Sequence, residues 1–345
     1  MALILSALFG GCQTIDYYSQ AVGGHSAIWL NQRDIDEVLA DPTVDEKIRI
    51  QLRELQQVRE FASDELMLPR NGSYSRFVDT GRNYVVWNVI ATPRYSVDAV
   101  KSCFPVVGCV SYRGYYDKEA AIEQGAKLKA QGLDIYIGGV GAYSTLGWFD
   151  DPLLNTMLSR SRADTISLIF HELAHQQVFI KGDTKFNESF ATAVAALGLN
   201  QWAITQGETQ LLTEYRLKKA RSAEVVSLVL SAREQMRQAY LAADTDSPQQ
   251  LASIKKQQFE NLKQSYQSLI ADGGGTPGFD RFFASDINHA SLVLFGEYHG
   301  WVDAFKRLFE INQRRWPAFY QAVEALSVLT DAEREAQLSA LQADF

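Results

Sequence analysis

Residues 166–175 read Ile-Ser-Leu-Ile-Phe-His-Glu-Leu-Ala-His, and this stretch determines how the rest of the chain is interpreted. Most of the segment is apolar, which predicts a buried helix. Positions i and i+4 share one face of a helix, so the imidazoles of His171 and His175 can bind one metal ion. Glu172 is turned away by about 100° on a helix with ~3.6 residues per turn. Its carboxylate can therefore reach the attacking water without being a ligand, which is the arrangement of zinc peptidases.

The helix that carries this H-E-x-x-H motif is predicted to begin at Asp164, a good N-cap residue. Two imidazoles and a carboxylate in an apolar helix need polar partners, because unpaired buried polar groups are unfavourable. A metal ion supplies that partner. The alternative is a hydrogen-bonded cluster of His and Glu side chains that holds no metal.

A third metal ligand is expected downstream, because a catalytic zinc site has three protein ligands and keeps one position open. Glu188 follows His175 in the segment Phe-Asn-Glu-Ser-Phe-Ala and is the predicted ligand. Asp183 is the weaker rival, and Glu188 could instead be a helix-start acid that favours the helix dipole. Thr192 lies one turn after Glu188 on the same face. It is a candidate for the outer hydrogen bond that a metal-bound imidazole donates, or an ordinary helix threonine.

Length and composition limit the class of protein. The chain has 345 residues, is 46% hydrophobic and 21% charged, and has a net charge of −8. These values exclude a disordered or fibrous chain. The negative charge argues against nucleic acid as a partner, because affinity for DNA rests on phosphate neutralisation. No apolar run reaches the ~18 residues that a membrane-spanning helix needs.

The pattern along the chain predicts an α+β fold that is mostly helical, with a small mixed sheet beside the metal-binding helix. Three segments are rich in β-branched and aromatic residues and are predicted strands, at 84–90, 110–116 and 133–137. Residues 213–271 are predicted to form a helical hairpin. The predicted parts are a signal at 1–12, an α+β part with the sheet at 13–163, and a helical part with the metal site at 164–345, together forming one catalytic unit.

The N-terminus indicates export and a lipid anchor. Residues 2–11 are uncharged, mostly apolar and end in two glycines, and Cys12 follows them. This pattern is similar to the end of a bacterial lipoprotein signal, in which lipid is attached to the cysteine after cleavage. No Lys or Arg precedes the apolar run, which a start site assigned too far downstream would explain. We expect a lipoprotein of the cell envelope that faces the periplasm, with a membrane contact only through Cys12. An incidental apolar terminus is the alternative.

Cys103 and Cys109 enclose the sequence Phe-Pro-Val-Val-Gly, which suits a tight reversal between extended segments. In an oxidising compartment this pair is expected to form a disulfide that closes a small loop. Two free thiols in a cytosolic protein are the alternative. Export and the disulfide support each other, so we predict both.

Nearly the full length resembles a bacterial family described as predicted zinc aminopeptidases, whose members look like exported lipoproteins. The segments that carry the likeness are 17–21, 103–109, 112–116, 142–149, 171–175, 187–191 and 295–299. The resemblance implies a zinc metallopeptidase with one Zn²⁺ per chain. The segment around Glu188 also looks like the Asn-Glu-Gly-Phe-Ala segment that supplies the third ligand in gluzincin peptidases. Ser189 stands where that pattern has Gly.

The substrate-binding strand of gluzincin aminopeptidases lies about thirty residues before the metal helix, and its Glu binds the substrate α-ammonium. Gly141, Ala142, Tyr143 and Ser144 lie at that distance here, with the hydroxyl of Ser144 in place of the carboxylate. The substitutes considered for the missing carboxylate are Asp150 and Asp151. The same segment is expected to be an edge strand that pairs with an extended peptide.

A zinc peptidase also needs a donor for the oxyanion of the tetrahedral intermediate. Tyr298 is chosen, because it lies in a segment similar to the family and the aminopeptidases commonly use a tyrosine. The other candidates are Tyr112, Tyr143, His289 and His299.

Arg113 is a candidate for binding a substrate carboxylate, or a plain surface ion pair. Together these residues predict a zinc-dependent, aminopeptidase-like hydrolase of envelope peptides, in which Glu172 is the general base. Two alternatives stay open. One is a non-catalytic envelope protein with a structural metal site, and the other is a zinc hydrolase of a non-peptide amide.

Overall fold

The computed structural model describes residues 6–104, 108–142, 145, 149–244, 247–295 and 300–343. It is mostly helical with small sheets, which confirms the predicted α+β class. The helices in chain order are α1 (Ser6–Leu30), α2 (Ile35–Ala40), α3 (Glu46–Asp64), α4 (Lys118–Ala130), α5 (Asn155–Leu158), α6 (Arg162–Gln177), α7 (Thr184–Thr205), α8 (Thr209–Leu241), α9 (Pro248–Ala271), α10 (Pro277–Ala284), α11 (His289–Leu292), α12 (Val302–Ile311), α13 (Trp316–Ser327) and α14 (Asp331–Ala343), with a 3-10 turn at Val293–Phe295.

The strands are β1 (Arg33–Asp34), β2 (Arg76–Val78), β3 (Val86–Thr92), β4 (Ser102–Phe104), β5 (Gly108–Val110), β6 (Arg113–Tyr115), β7 (Asp134–Val140) and β8 (Leu153–Leu154). β3 is central in one sheet and pairs antiparallel with β6 and β7. A second small sheet has the order β1-β2-β8. None of the described helices has both the length and the apolarity that a membrane span requires.

The predicted disulfide is present. Cys103 and Cys109 are directly opposed in the antiparallel pair β4–β5, and their sulfurs are bonded. The bond therefore closes a two-stranded hairpin of three residues per strand, as the reversal between the cysteines suggested.

The main core is built around α6 and α7, which pack side by side. Phe170 of α6 and Phe190 of α7 are fully buried in it, together with Leu52 of α3 and Phe319 of α13. At Gly198 the two helices approach so closely that a Cβ would lie 2.9 Å from the Phe170 ring. The motif therefore lies on a helix of the main core that packs closely against α7.

A second core joins the helical hairpin α8–α9 to α10. α8 contributes buried Val225, Val229 and Met236 to this core, and α9 contributes Leu262 and Tyr266. Through α8 the hairpin contacts α6 and α7. Its bounds agree with the predicted hairpin at 213–271 within a few residues.

Three local expectations were wrong. The N-cap of α6 is Ser161, not Asp164, because the Ser161 hydroxyl accepts the amide N–H of Asp164 one turn inside the helix. The predicted strand 110–116 is interrupted after Val110, so it forms the separate strands β5 and β6. β7 extends through two glycines to Val140, beyond the predicted end at 137.

Candidate metal centre

The two histidines of the motif face each other on α6. Their Nε2 atoms are 3.1 Å apart. Ligand atoms of a tetrahedral zinc ion with bonds of ~2.0–2.1 Å lie about 3.3 Å apart, so the spacing suits two ligands of one ion. His175 is buried and His171 is partly exposed, so the pair lies at the boundary of the main core.

Glu188 of α7 completes the group. Its Oε2 atom lies 3.3 Å from Nε2 of His171, and its Oε1 atom lies 3.7 Å from Nε2 of His175. One ligand atom from each of the three residues lies within 4.8 Å of the other two. Two imidazoles and one carboxylate are a typical set for a catalytic zinc ion. The residues present can therefore hold a metal ion.

The turn between α6 and α7 explains why Glu188 reaches the histidines after so short a connection. Asn187 is buried, and its side chain accepts the N–H of Ile180 at 2.8 Å and donates to the Ile180 carbonyl at 2.7 Å. Asp183 caps α7 by accepting the N–H of Phe186 at 2.9 Å. These bonds hold the start of α7 against the end of α6, so Glu188 faces the motif.

Asp183, the rival third ligand, is bound elsewhere. Besides its capping bond, its carboxylate forms an ion pair with the buried guanidinium of Arg334 at 2.9 Å. It is therefore not part of the ligand group. Ser189, which replaces the Gly of the gluzincin pattern, is fully buried, and its hydroxyl accepts the N–H of Trp301 at 3.0 Å. The extra hydroxyl is accommodated by this bond, which ties α7 to the start of α12.

Burial and neighbouring charge shift the pKa values at the site in opposite directions. Burial, followed by the charge of His171, lowers the pKa of His175 to about 4, so this imidazole stays neutral as a metal ligand must. Burial opposes protonation of His171 as well, but the hydrogen bond to Glu188 and the charge of Glu172 outweigh it and raise its pKa.

The pKa of Glu172, the candidate general base, is raised above its ordinary value. Burial raises the pKa of its carboxyl; His171 opposes this rise, and the carboxylates of Glu188 and Asp151 add to it. A carboxylate with a raised pKa suits proton transfer near neutral pH.

A cavity of about 750 Å³ opens onto the metal group. His171 and Glu188 form part of its wall, with Thr192 beside them. In the described part of the chain, Thr192 forms no hydrogen bond to either histidine, and Nδ1 of His175 has no partner. The outer hydrogen bond predicted for Thr192 is therefore not formed in this structure.

Several predicted residues lie away from this cavity. His289 is fully buried, with Nδ1 bonded to Asp134 and Nε2 to the hydroxyl of Tyr240, so it was wrong as an oxyanion donor. Tyr112 packs beside Ile90 in a small separate core. Arg113 stacks on Tyr17, with its guanidinium carbon 3.9 Å from the ring centroid.

The predicted edge strand is only partly described. Gly141 and Ala142 follow the last residue of β7, so the prediction that they belong to an edge strand was wrong. The Gly141 carbonyl accepts a hydrogen bond from the hydroxyl of Thr156 at 2.7 Å. The residues that lie outside the described part of the chain are Tyr143, Ser144, Tyr298 and His299. The side chain of Cys12, in α1, is also outside it.

Asp151 and Asp150 have structural surroundings of their own. Asp151 is buried, and its carboxylate accepts the N–H of Thr145 at 2.8 Å. Asp150 lies against Gly72. Neither lines the cavity as described.

Tyr136 was missed by the sequence analysis and lines the cavity with His171 and Glu188. It lies on β7, where Ile135 and Ile137 point to the opposite face and pack against α4. The alternation of a strand could have placed it on the face opposite those isoleucines. Burial and the nearby Tyr84 raise the pKa of its hydroxyl, which stays protonated and able to donate.

An H-E-x-x-H helix with a carboxylate from the next helix, beside a cavity, defines the class of a candidate metallohydrolase. The chain belongs to the protein family described as "Putative aminopeptidase", whose model matches residues 16–338. This membership supports a peptidase-like hydrolase. No curated protein and no solved structure matches the chain.

Proposed function

We propose that the protein is a zinc-dependent peptidase in which His171, His175 and Glu188 hold the metal. The observation that carries this proposal is the convergence of three ligand atoms, from two helices, beside a cavity of about 750 Å³. A purely structural zinc site is closed by four protein ligands, whereas three ligands at a cavity leave a position for chemistry.

Zinc, when bound, supplies a Lewis acid that polarises the scissile carbonyl and makes water a better nucleophile. The Glu172 carboxylate accepts the proton of the attacking water and passes it to the nitrogen of the leaving amine. Its raised pKa supports this role, because the proton must be both taken and released near neutral pH. Glu172 lies next to a ligand on α6 without belonging to the ligand group.

The oxyanion donor is proposed to be Tyr298, on the family resemblance of its segment. Tyr136 is the described tyrosine at the cavity and is the second candidate for that donor. A phenol hydroxyl stabilises a developing oxyanion by donating its proton in a hydrogen bond.

We also propose that the protein works in the cell envelope, anchored by lipid at Cys12. The Cys103–Cys109 disulfide supports this location, because such bonds persist in oxidising compartments. Its substrate is then a peptide of the envelope. A non-peptide amide of the same compartment contains the same kind of bond, and the activity test below distinguishes it from a peptide.

The metal assignment is tested by elemental analysis of purified protein. Wild type should hold about one zinc per chain. His175→Ala and Glu188→Ala should lose it, whereas Asp183→Asn should retain it, because Asp183 is occupied by the helix cap and Arg334. Equal zinc in wild type and His175→Ala would contradict the site, and zinc lost only from Asp183→Asn would move the third ligand there.

Activity is tested with a library of peptides that have free or blocked N-termini. Cleavage only of free N-termini would establish an aminopeptidase, and cleavage of both would establish an endopeptidase. If zinc-loaded wild type cleaves no peptide, the proposed peptidase activity is wrong and the non-peptide amide or the metal-stabilised scaffold takes its place.

A further inference from the structure

Part of the wall of the cavity that His171 and Glu188 line is aromatic and apolar. Phe279 and Phe282 of α10 line it, with Phe295 of the following 3-10 turn. The centroids of the Phe279 and Phe295 rings are 5.9 Å apart, and those of Phe282 and Phe295 are 5.2 Å apart. The three rings therefore form one continuous apolar surface that faces the same space as His171 and Glu188.

This surface is held in place from behind. Phe283, the neighbour of Phe282, is buried and stacks on Tyr266 of α9 with ring centroids 3.8 Å apart. The Tyr266 hydroxyl donates to Asp280 at 2.7 Å, which fixes α10 on the helical hairpin. The rings that face the cavity are only partly buried, although the helix behind them is anchored. A rigid, partly exposed aromatic wall has apolar area left to cover.

Charge is scarce along this cavity. Glu188, a proposed ligand, is the acidic residue among the described residues that line it. Lys218 is the cation among them, and its ammonium is paired with Asp164. A charged substrate side chain would lose water here without gaining a partner, which is unfavourable.

We propose that the wall of Phe279, Phe282 and Phe295 is a subsite for a large apolar side chain, aromatic or aliphatic, of the residue that flanks the scissile bond. This inference rests on the proposed peptidase function, because it names the substrate class of the same site. Ligand sites are typically apolar walls with a few polar groups that fix orientation, and Thr192, Ser222 and Thr276 supply such groups at the margins of this cavity.

Two substitutions at the cavity should change the space for a substrate side chain in opposite directions. Val226 of α8 lines it and is partly buried, so Val226→Phe should fill the space for a large side chain. Phe282→Ala should enlarge that space and remove apolar contact. Leu241→Phe is the matched control, since Leu241 is 73% exposed on the same helix as Val226 and lies away from the cavity.

Binding and cleavage are measured separately. The zinc-loaded Glu172→Gln protein is titrated by calorimetry with two series of hexapeptides, X-Ala-Gly-Ala-Gly-Ala and Gly-Ala-Gly-X-Ala-Gly, where X is Phe, Leu, Asp or Lys. The first series places X beside the scissile bond of an aminopeptidase, and the second places it beside an internal scissile bond. We expect Phe and Leu to bind at least ~10-fold more tightly than Asp and Lys, the scale on which apolar pockets discriminate. Combined with Glu172→Gln, Val226→Phe should shift the preference toward a peptide with X as Ala, Phe282→Ala should reduce it, and Leu241→Phe should leave it unchanged.

Thermal melting shows whether each variant folds. If either Val226→Phe or Phe282→Ala fails to fold, the other variant tests the subsite. Equal or absent binding of all peptides would overturn the subsite, and so would a preference that neither folded variant changes. Binding with the expected preference, but no cleavage by wild type, would contradict the proposed peptidase and keep the subsite. Cleavage by wild type without any preference at either flank would overturn the subsite and keep the peptidase.

Discussion

Two clusters among the described residues, one at His171 and His175 and one at His289, combine histidine with carboxylate, and they differ in their hydrogen-bond partners. In the first, nitrogen atoms of His171 and His175 and oxygens of Glu188 point at one another beside a cavity. In the second, fully buried His289 bonds to Asp134 and Tyr240, and Asp134 also pairs with Lys255. In the second cluster, His289 and Asp134 each have hydrogen-bond or ion-pair partners within the cluster. The first brings two imidazoles and a carboxylate together at a cavity, an arrangement that a bound cation would stabilise.

A candidate metal-binding histidine and a structural histidine differ here in their hydrogen-bond partners. His175 and His289 are both buried, so burial does not distinguish them. The distinction lies in the partners: a structural imidazole has a donor on one side and an acceptor on the other, as His289 has. Glu172→Gln and His289→Ala should each affect one cluster and leave the other unchanged.

The largest effect is expected from Glu172→Gln. Loss of a general base typically lowers the rate ~10²–10⁴-fold, whereas the three ligands remain. The measurement is hydrolysis of the best library peptide, together with zinc content. Glu310→Gln, which alters an exposed ion pair with Arg314, is the control and should retain full activity. Wild-type rates from a folded, zinc-loaded Glu172→Gln protein would show that the proposed mechanism is wrong.

The second effect concerns stability. His289→Ala should lower the free energy of unfolding by about 1–3 kcal/mol, because Asp134 and Tyr240 would each lose a buried partner. Zinc content should stay at the wild-type value. Denaturant unfolding and elemental analysis test both points. A loss of zinc in the folded variant would mean that the two clusters are coupled.

The third effect is a pH dependence of the second cluster. Burial, only partly opposed by the bond to Asp134, lowers the pKa of His289. Burial would raise the pKa of Asp134, but the bonds from His289 and Lys255 outweigh it and lower that pKa. Both groups bind protons more readily in the unfolded chain, so stability is lost as the pH falls.

For His289 this loss should begin below about pH 6.5, the ordinary histidine pKa, and for Asp134 below about pH 3.9. His175, whose pKa is about 4 in the metal-free chain, acts in the same direction. The free energy of unfolding, measured between about pH 7.5 and 5.5, roughly one unit either side of that histidine value, should depend more steeply on pH for wild type than for His289→Gln. Identical slopes would contradict the assignment to His289.

The smallest effect is expected at the hairpin β4–β5, which lies outside both clusters. Titration of denatured, unreduced protein should find neither Cys103 nor Cys109 as a free thiol. Reduction should lower the free energy of unfolding by at most ~2.4 kcal/mol on the chain-entropy model, and it should leave zinc and activity unchanged. Two reactive thiols in protein taken directly from the envelope would contradict both the disulfide and the proposed export.

The features that could be predicted from the sequence are those set by interactions between residues close together along the chain. The two histidines of α6 lie one helical turn apart, so their common face needs only local geometry. Glu188 depends on a short turn, and its segment provided enough pattern to place it. The hairpin α8–α9 was likewise predicted from a long apolar period, and its bounds differ from the prediction by a few residues.

The rest depends on contacts between distant segments. His289 could not be assigned from sequence, because its partners Asp134 and Tyr240 lie on β7 and α8, far away along the chain. Tyr136 reaches the cavity only because β7 lies beside the metal helices. The N-cap of α6 was misplaced because Ser161 and Asp164 are both good capping residues, and only the backbone geometry chooses between them.

The two hydrogen bonds between the Asn187 side chain and the Ile180 backbone affect how the proposed metal ion would be exchanged. Because these bonds and the packing of α6 on α7 orient Glu188, the ligands are preorganised by the chain itself. In small zinc domains the binding energy is spent on folding, whereas here little ordering entropy remains to be lost. If the site holds zinc as proposed, it should release and reload the ion without passing through an unfolded state, so that protein stripped by a chelator regains zinc as fast as the ion can enter the cavity.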